Sequence, residues 1–318
     1  MAPASHGFET IVRHHLTRRD LLRNTALGAA ALMLPEVLVA CSTAKPAAVS
    51  REDQNPDLER LTSWVNRVRS ERSTGLGAGA ARVGELATGT PYEPNTLEAY
   101  LKQGGTPRHE PLTLSLTRFD CVTLVEACLA VTRLARGAEV PTWERFGQQV
   151  ERMRYRSGQR QGYVSRLHYF SEWITDGEKR GLVRDIGGEL SGARDTRPLR
   201  FMTDHRGSYP ALSSDNVFRE IQAIERSLDR RPRRVVPAKR IPEVVNRIEH
   251  GDVLAFATEI PGLDVSHTAF AYRDPKGILR VLHAPLSGGV VEITRATLPE
   301  YVAAIRRCTG ILVARPTD

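Results

Sequence analysis

The sequence predicts an α+β fold, with helices first and an antiparallel meander after them. Three observations carry this. Apolar residues recur at helical spacing over 57–72 and 119–136. From Gly251 onward the chain breaks into short apolar runs of strand length. Asp274-Pro275-Lys276-Gly277 stands between two of those runs as a turn signal. Helices and strands segregated along the chain are the mark of α+β architecture, and no internal repeat is present.

Taken in order, Asp57 to Arg72 reads as an amphipathic helix with Leu58, Leu61, Val65 and Val68 on one stripe. Thr74 to Pro94, rich in Gly, Ala and Pro, reads as irregular. Leu97 to Leu101 forms a short helical turn stopped by Gly104-Gly105. Phe119 to Arg136 is the clearest helix, with Leu124, Val125, Cys128, Leu129, Val131 and Leu134 apolar and Gly137 at its end. Pro141-Thr142-Trp143 opens another that runs to Met153, and Tyr155 to Gly158 is a turn. Val217 to Leu228 is a further helix. Strands are expected at 252–258, 265–272, 278–284 and 290–293, with Ser287-Gly288-Gly289 turning the chain before the last of these. Ile311-Leu312-Val313 is a possible final strand.

The chain has 318 residues, room for one large domain or two small ones, and 41% hydrophobic residues, enough for an ordinary core. No stretch reaches the roughly 18 apolar residues that a membrane span needs. The formal charge of +8 suits acidic partners such as nucleic acid, anionic lipid or anionic polymer. Nucleic acid is set aside, because arginine is scattered and neither zinc-finger spacing nor an aromatic RNA-binding motif is present.

Residues 1–40 read as an address and not as part of the fold. Thr17-Arg18-Arg19-Asp20-Leu21-Leu22 looks like a twin-arginine export signal. An apolar stretch from Ala26 to Ala40 follows, and Leu38-Val39-Ala40-Cys41 resembles the lipobox of bacterial lipoproteins. Lipidation of Cys41 would tether the chain to a membrane surface, with 41–56 as a polar tether and 57–318 as the folded domain.

Of four cysteines, Cys41, Cys121, Cys128 and Cys308, lipidation of the first leaves an odd number in an exported chain, which flags a reactive thiol. Cys128 has the character of a small buried residue, and its pairing with Cys308 stays open. Cys121 falls in the first turn of its helix, with Asp120 as N-cap and Thr117 offering an alternative capping box. Helix N-termini favour a thiolate and can hold an oxyanion. Two readings of Cys121 remain on this basis, a nucleophile or a buried structural cysteine. A nucleophile needs a base. His267 lies in the second strand, flanked by Val265 and Ala269, and His283 in the third. A five-residue loop, Arg273 to Gly277, sets the two histidines directly opposite each other, whereas a four-residue loop puts them on opposite faces. His267 would then be the base and His283 the group that orients it. No Cys-x-x-Cys or His-Glu-x-x-His spacing supports a metal site, and no cofactor is implied.

Phe119-Asp120-Cys121-Val122-Thr123-Leu124-Val125-Glu126 resembles the nucleophile segment of NlpC-type papain-like cysteine peptidases. It is more similar still to the N-acetylmuramoyl-L-alanine amidase-like family within that superfamily. Arg166-Leu167-His168-Tyr169-Phe170 with Trp173, Phe201-Met202-Thr203, Gly251-Asp252-Val253, the run from Gly262 to His267 and Leu282-His283-Ala284 match the same family in order. The resemblance implies a papain-like fold with the nucleophile at the start of a helix packed on an antiparallel sheet. It implies a cysteine-dependent amidase cutting between the lactyl group of muramic acid and the first stem alanine. Cys121, His267 and His283 would be catalytic, and Arg166, His168 and Trp173 would lie near the substrate. The chain departs from the family's commoner pattern at Thr268-Ala269-Phe270, where Val-Gly-Ile is usual, and at Ala284-Pro285, where Ala-Ser is usual. The expected protein is a periplasmic, membrane-anchored monomer acting on peptidoglycan fragments. The alternatives are an endopeptidase cutting within the stem peptide, and a non-catalytic wall-binding lipoprotein.

Overall fold

Strand β4 (Val253–Thr258) is buried along its whole length, and that fact organises the molecule. A strand covered on both faces needs a layer on each side. In the computed structural model, which describes residues 55–71, 75–285 and 289–317, the layers are helical. The twin-arginine segment, Cys41, the tether before Asn55 and the Ser287-Gly288 part of the expected turn lie outside the described residues. Among the described residues no helix is long and apolar enough to cross a membrane.

The α-helices longer than a single turn are α1 (Pro56–Glu71), α2 (Leu76–Leu86), α3 (Cys121–Arg136), α4 (Trp143–Arg154), α5 (Phe170–Lys179), α6 (Asp215–Leu228) and α7 (Leu298–Ala304). The remaining strands are β1 (Val183–Asp185), β2 (Ala193–Asp195), β3 (Arg233–Pro237), β5 (Val265–Arg273), β6 (Leu279–His283), β7 (Glu292–Ile293) and β8 (Cys308–Pro316). The sheet runs β2-β3-β8-β4-β5-β6-β7, with β1 also paired to β8. Every pairing is antiparallel. This mixed helix and antiparallel-sheet architecture is the α+β class that the sequence predicts.

Alternation along the strands divides the core in two. Val253, Ala255 and Ala257 of β4, Phe270 of β5 and Leu282 of β6 face α1, α2 and α3. Leu254, Phe256, Ala269, Ala271 and Val281 face the other way, onto Leu298 and Val302 of α7. A third cluster, with Tyr163, Tyr169, Met202 and Ile221, lies under α6.

Several boundaries differ from the sequence expectation. In α1 the buried stripe is Leu61, Trp64, Val65 and Val68, while Leu58 in the first turn stays exposed. The segment read as irregular contains α2, whose sequence LGAGAARVGEL hides its periodicity behind small residues. Those residues are there for approach distance. A Cβ on Gly84 would meet Leu282 Cδ2 at 2.6 Å, and one on Gly251, at φ +88, would meet the Gly77 carbonyl oxygen at 2.0 Å. Glycine is the residue that permits both the contact and the left-handed backbone. The final strand is longer than expected, Cys308–Pro316, and β7 shorter, Glu292–Ile293.

Helix α3 is buried nearly all round, and Glu126 within it is 1% exposed. Its carboxylate accepts from Arg154 Nε of α4 at 2.8 Å, which ties the two helices inside the core. The Asp264 carboxylate accepts from the Ser171 N–H at 2.8 Å, joining the first turn of α5 to the chain entering β5. The Gly262 carbonyl accepts from the Arg200 and Phe201 N–H groups, so the Phe201-Met202-Thr203 motif docks on the Gly262 turn.

Two stability outcomes are expected. Gly84→Ala should destabilise by about 1–3 kcal/mol through overpacking against Leu282, read as a lowered midpoint in urea. Glu126→Ala leaves the Arg154 guanidinium buried without its partner and should cost about 3–5 kcal/mol, read in the same titration.

Candidate active site

The start of α3 is fixed by its own residues. Asp120 is extended and caps the helix, its Oδ1 accepting from the Thr123 N–H at 2.8 Å. Thr123 Oγ1 in return accepts from the Asp120 N–H at 2.9 Å. The partner in this capping box is therefore Thr123 and not Thr117, whose hydroxyl instead meets Ser115 Oγ. The Thr96 hydroxyl bonds the second Asp120 oxygen. Cys121 is thus the first helical residue, half-buried, and unpaired as a disulfide, as are Cys128 and Cys308. The open Cys128–Cys308 pairing is not formed, and Cys128 is an apolar core residue.

On β5 the side chains alternate. His267 stacks on Phe256 with ring centroids 5.7 Å apart, on the α7 side of the sheet. Thr268, the next residue, is 1% exposed, and its hydroxyl has no full hydrogen-bond partner. Thr268 lies at the Cys121 sulfur, where its N–H and hydroxyl favour the thiolate. The strand therefore sends its histidine to one face and its threonine toward the thiol. A bulge at Ala257↔Val265 interrupts the alternation. Val265 consequently packs with the α3-side core, while Ala269 joins the α7-side core. The expectation that both flank His267 on one face is corrected by that bulge.

The β5–β6 register also differs from the one expected. Arg273 pairs Leu279 and Phe270 pairs Leu282. The five-residue loop is Asp274 to Ile278, one position later than expected, so His267 and His283 are diagonal neighbours and not direct opposites. An odd loop still keeps them on one face. His267 Nε2 lies 2.8 Å from His283 Nδ1. The Tyr301 hydroxyl of α7 approaches the same Nδ1 at 3.2 Å, and Glu292 Oε1 of β7 stands 3.6 Å from His283 Nε2.

The electrostatics run against the depressed thiol expected from the helix N-terminus. Burial pushes the Cys121 thiol up to about 11, and the Asp120 carboxylate adds to this, outweighing the nearby N–H and O–H groups of Thr268 and Val122, which favour the thiolate. Burial, with His283 beside it, holds His267 well below its ordinary range. Both groups are neutral near pH 7, and they make no direct hydrogen bond among the described residues. Burial raises the Tyr92 and Tyr301 phenols, and the nearness of Cys121 raises them further, which puts both rings at the site.

Arg166 and Trp173 are 2% and 3% exposed, which places them inside the protein and not on its surface. Arg166 donates to the Leu97 carbonyl and Glu98 and holds the 3-10 helix Thr96–Gln103 in place. Trp173 stacks on Phe170 in the core. His168 Nε2 meets the Tyr163 carbonyl at 2.8 Å, and burial keeps the ring neutral. Sequence reasoning missed Tyr92, Glu292 and Tyr301. Thr297-Leu298-Pro299-Glu300 is a capping box that could have flagged α7, but nothing local ties Tyr301 to a histidine. Among the described residues no three His, Cys, Asp or Glu side chains are grouped to hold a metal ion.

Fold and site together describe an α+β protein with two imidazoles and a carboxylate grouped on one face of an antiparallel sheet and a thiol beside Thr268 of the same strand, the residue types of acyl-transfer chemistry. The chain belongs to the AmiA-like family, described as N-acetylmuramoyl-L-alanine amidase-like, whose model matches residues 82–311. Among solved structures it is similar to an N-acetylmuramoyl-L-alanine amidase from Bacteroides uniformis, at 29% identity and TM-score 0.69, covering 76% of this chain and 99% of that one. A Bacteroides fragilis protein provisionally named a xylanase is 31% identical with TM-score 0.66, covering 73% of this chain and 98% of that one. A Legionella pneumophila protein at 18% identity and TM-score 0.59, covering 82% and 95%, shares the fold. No curated protein matches the sequence significantly.

Two outcomes follow from the electrostatics. In the unfolded chain His168 and His267 take up protons near pH 6.5, which the folded protein refuses. The unfolded state then binds more protons, so stability falls as pH drops below about 6.5; thermal melts from pH 8 to pH 5 should show it. Thr268→Val removes a hydroxyl near the sulfur that favours the thiolate, so iodoacetamide alkylation of Cys121 at pH 8 should slow by about twofold to tenfold.

Proposed function

We propose that the protein is an exported peptidoglycan hydrolase of the NlpC-type papain-like superfamily, a cysteine-dependent N-acetylmuramoyl-L-alanine amidase. The observation that carries the reading is the His267–His283 contact of 2.8 Å, held at the end of the sheet where Cys121 opens α3. Family membership supports the amide-bond chemistry and the peptidoglycan substrate.

In this reading Cys121 is the nucleophile and His267 the base. His267 takes the thiol proton as sulfur attacks the carbonyl carbon of the lactyl amide. The N–H groups in the first turn of α3, that of Val122 among them, face the developing oxyanion. Collapse breaks the C–N bond, His267 passes the proton to the stem-peptide amine, and a thioester remains on Cys121. Water, deprotonated by His267, then releases the lactyl carboxylate and restores the thiol. Because thiol and imidazole both start neutral, the thiolate forms as substrate binds and not at rest. Arg166, His168 and Trp173 act from within the core, by holding the segments 96–103 and 163–173 in place.

The xylanase name borne by one neighbour calls for different residues. A glycosidase flanks the scissile bond with two carboxyl groups, whereas the grouping here is a thiol, two imidazoles and Glu292.

The export reading stands beside this one. Residues 1–40 are the twin-arginine lipoprotein signal, Cys41 the lipidated residue, 41–56 the tether and 57–318 the catalytic domain, giving a monomer anchored in the periplasm.

Digestion of purified peptidoglycan followed by mass spectrometry tests the activity. Intact stem peptides with a free L-Ala amine are expected, and dipeptide release would instead establish an endopeptidase. Cys121→Ala should reduce product by at least about a thousandfold; a variant as active as the parent removes the mechanism. Palmitate labelling that is lost in Cys41→Ser tests the anchor.

A further inference from the structure

A neutral imidazole carries its proton on one nitrogen, donating there and accepting at the other. The contact between His267 Nε2 and His283 Nδ1 fits either direction taken alone. What lies on the far side of His283 decides it. That ring is 1% exposed, and its Nε2 is buried without a hydrogen-bond partner. Facing this nitrogen is Glu292 Oε1, at 3.6 Å. The β6–β7 ladder sets Glu292 directly opposite His283, so the facing is built into the sheet.

An ionised carboxylate can only accept. The nitrogen beside it therefore carries the proton, and His283 is the Nε2–H tautomer with a lone pair on Nδ1. Two donors converge on that lone pair, His267 Nε2–H and the Tyr301 hydroxyl. His267 then has one unprotonated nitrogen, Nδ1, and this is the nitrogen a base needs.

We propose that Glu292 is a positioning residue: set opposite His283 by strand pairing, it fixes the tautomer of His283 and through it leaves the Nδ1 lone pair of His267 free to accept a proton. The proposal rests on the reading of Cys121 and His267 as nucleophile and base. The groups facing His283 are His267 from β5, Glu292 from β7 and Tyr301 from α7. When His267 takes the Cys121 proton, that proton stays on Nδ1 until the leaving amine accepts it. His283 and Glu292 transfer nothing. They hold the Nε2–H of the imidazolium against an acceptor and place a negative charge beyond it.

Long-range 1H–15N spectra of the labelled full chain at pH 7.5 read the tautomers directly, without substrate. His267 and His283 should both be protonated at Nε2. Glu292→Ala should move the His283 nitrogens toward an average of tautomers and slow iodoacetamide alkylation of Cys121 by at least about tenfold. On peptidoglycan, kcat should fall similarly with KM within about twofold. Glu292→Gln offers a carbonyl oxygen to the same N–H and should restore most of the rate. A wild-type proton on His267 Nδ1 would overturn the proposal. So would a folded Glu292→Ala protein with unchanged tautomers and unchanged alkylation. A protein with the expected spectra that releases no stem peptide retains the proposal and removes the amidase reading instead.

Discussion

Strand β5 has to serve two faces of one sheet, and the site depends on that constraint. Its odd residues from His267 onward go to the α7 side, and its even residues go to the α3 side. His267 therefore meets His283 and Phe256, while Thr268 lies at the sulfur of Cys121. The bulge beside Ala257 lets the strand enter the sheet on one phase and run through the site on the other. Neighbouring residues of one strand thus serve the imidazole pair on one face and the thiol on the other.

The resting electrostatics follow from the same burial. A helix N-terminus stabilises a thiolate only where desolvation and a nearby carboxylate do not outweigh it. At Cys121 they do: the N-cap that starts the helix is itself an acid, one residue from the sulfur. The structure holds a neutral pair, and the N–H and O–H groups of Thr268 and Val122 close to the sulfur are the part of the surroundings that leans toward the charged state. Chemistry in such a site is governed by what a substrate excludes and supplies on docking.

Much of this was legible in the sequence. The stripe of α1, the apolar run of α3, the Asp120 cap and the turn at Asp274 each follow from local rules, and each lies within a residue or two of where the structure has it. Helix α2 was not legible, because a helix chosen for close approach carries glycine and alanine where a moment would show. The β5–β6 register was half legible. Face parity follows from an odd loop, but its position depends on pairing that no local signal reports. Glu292 and Tyr301 belong to the site through strand order and helix packing alone. The inward burial of Arg166 and Trp173 likewise depends on neighbours distant in sequence.

The contact between Gly77 and Gly251 has a genetic consequence. It is backbone against backbone, with the Gly77 carbonyl 2.0 Å from where a Gly251 Cβ would sit. A clash between side chains can be relieved by shrinking one of them, but here neither partner has anything left to give up. Selection for second-site suppressors of a Gly251 substitution would therefore return revertants at Gly251 itself, and none at position 77.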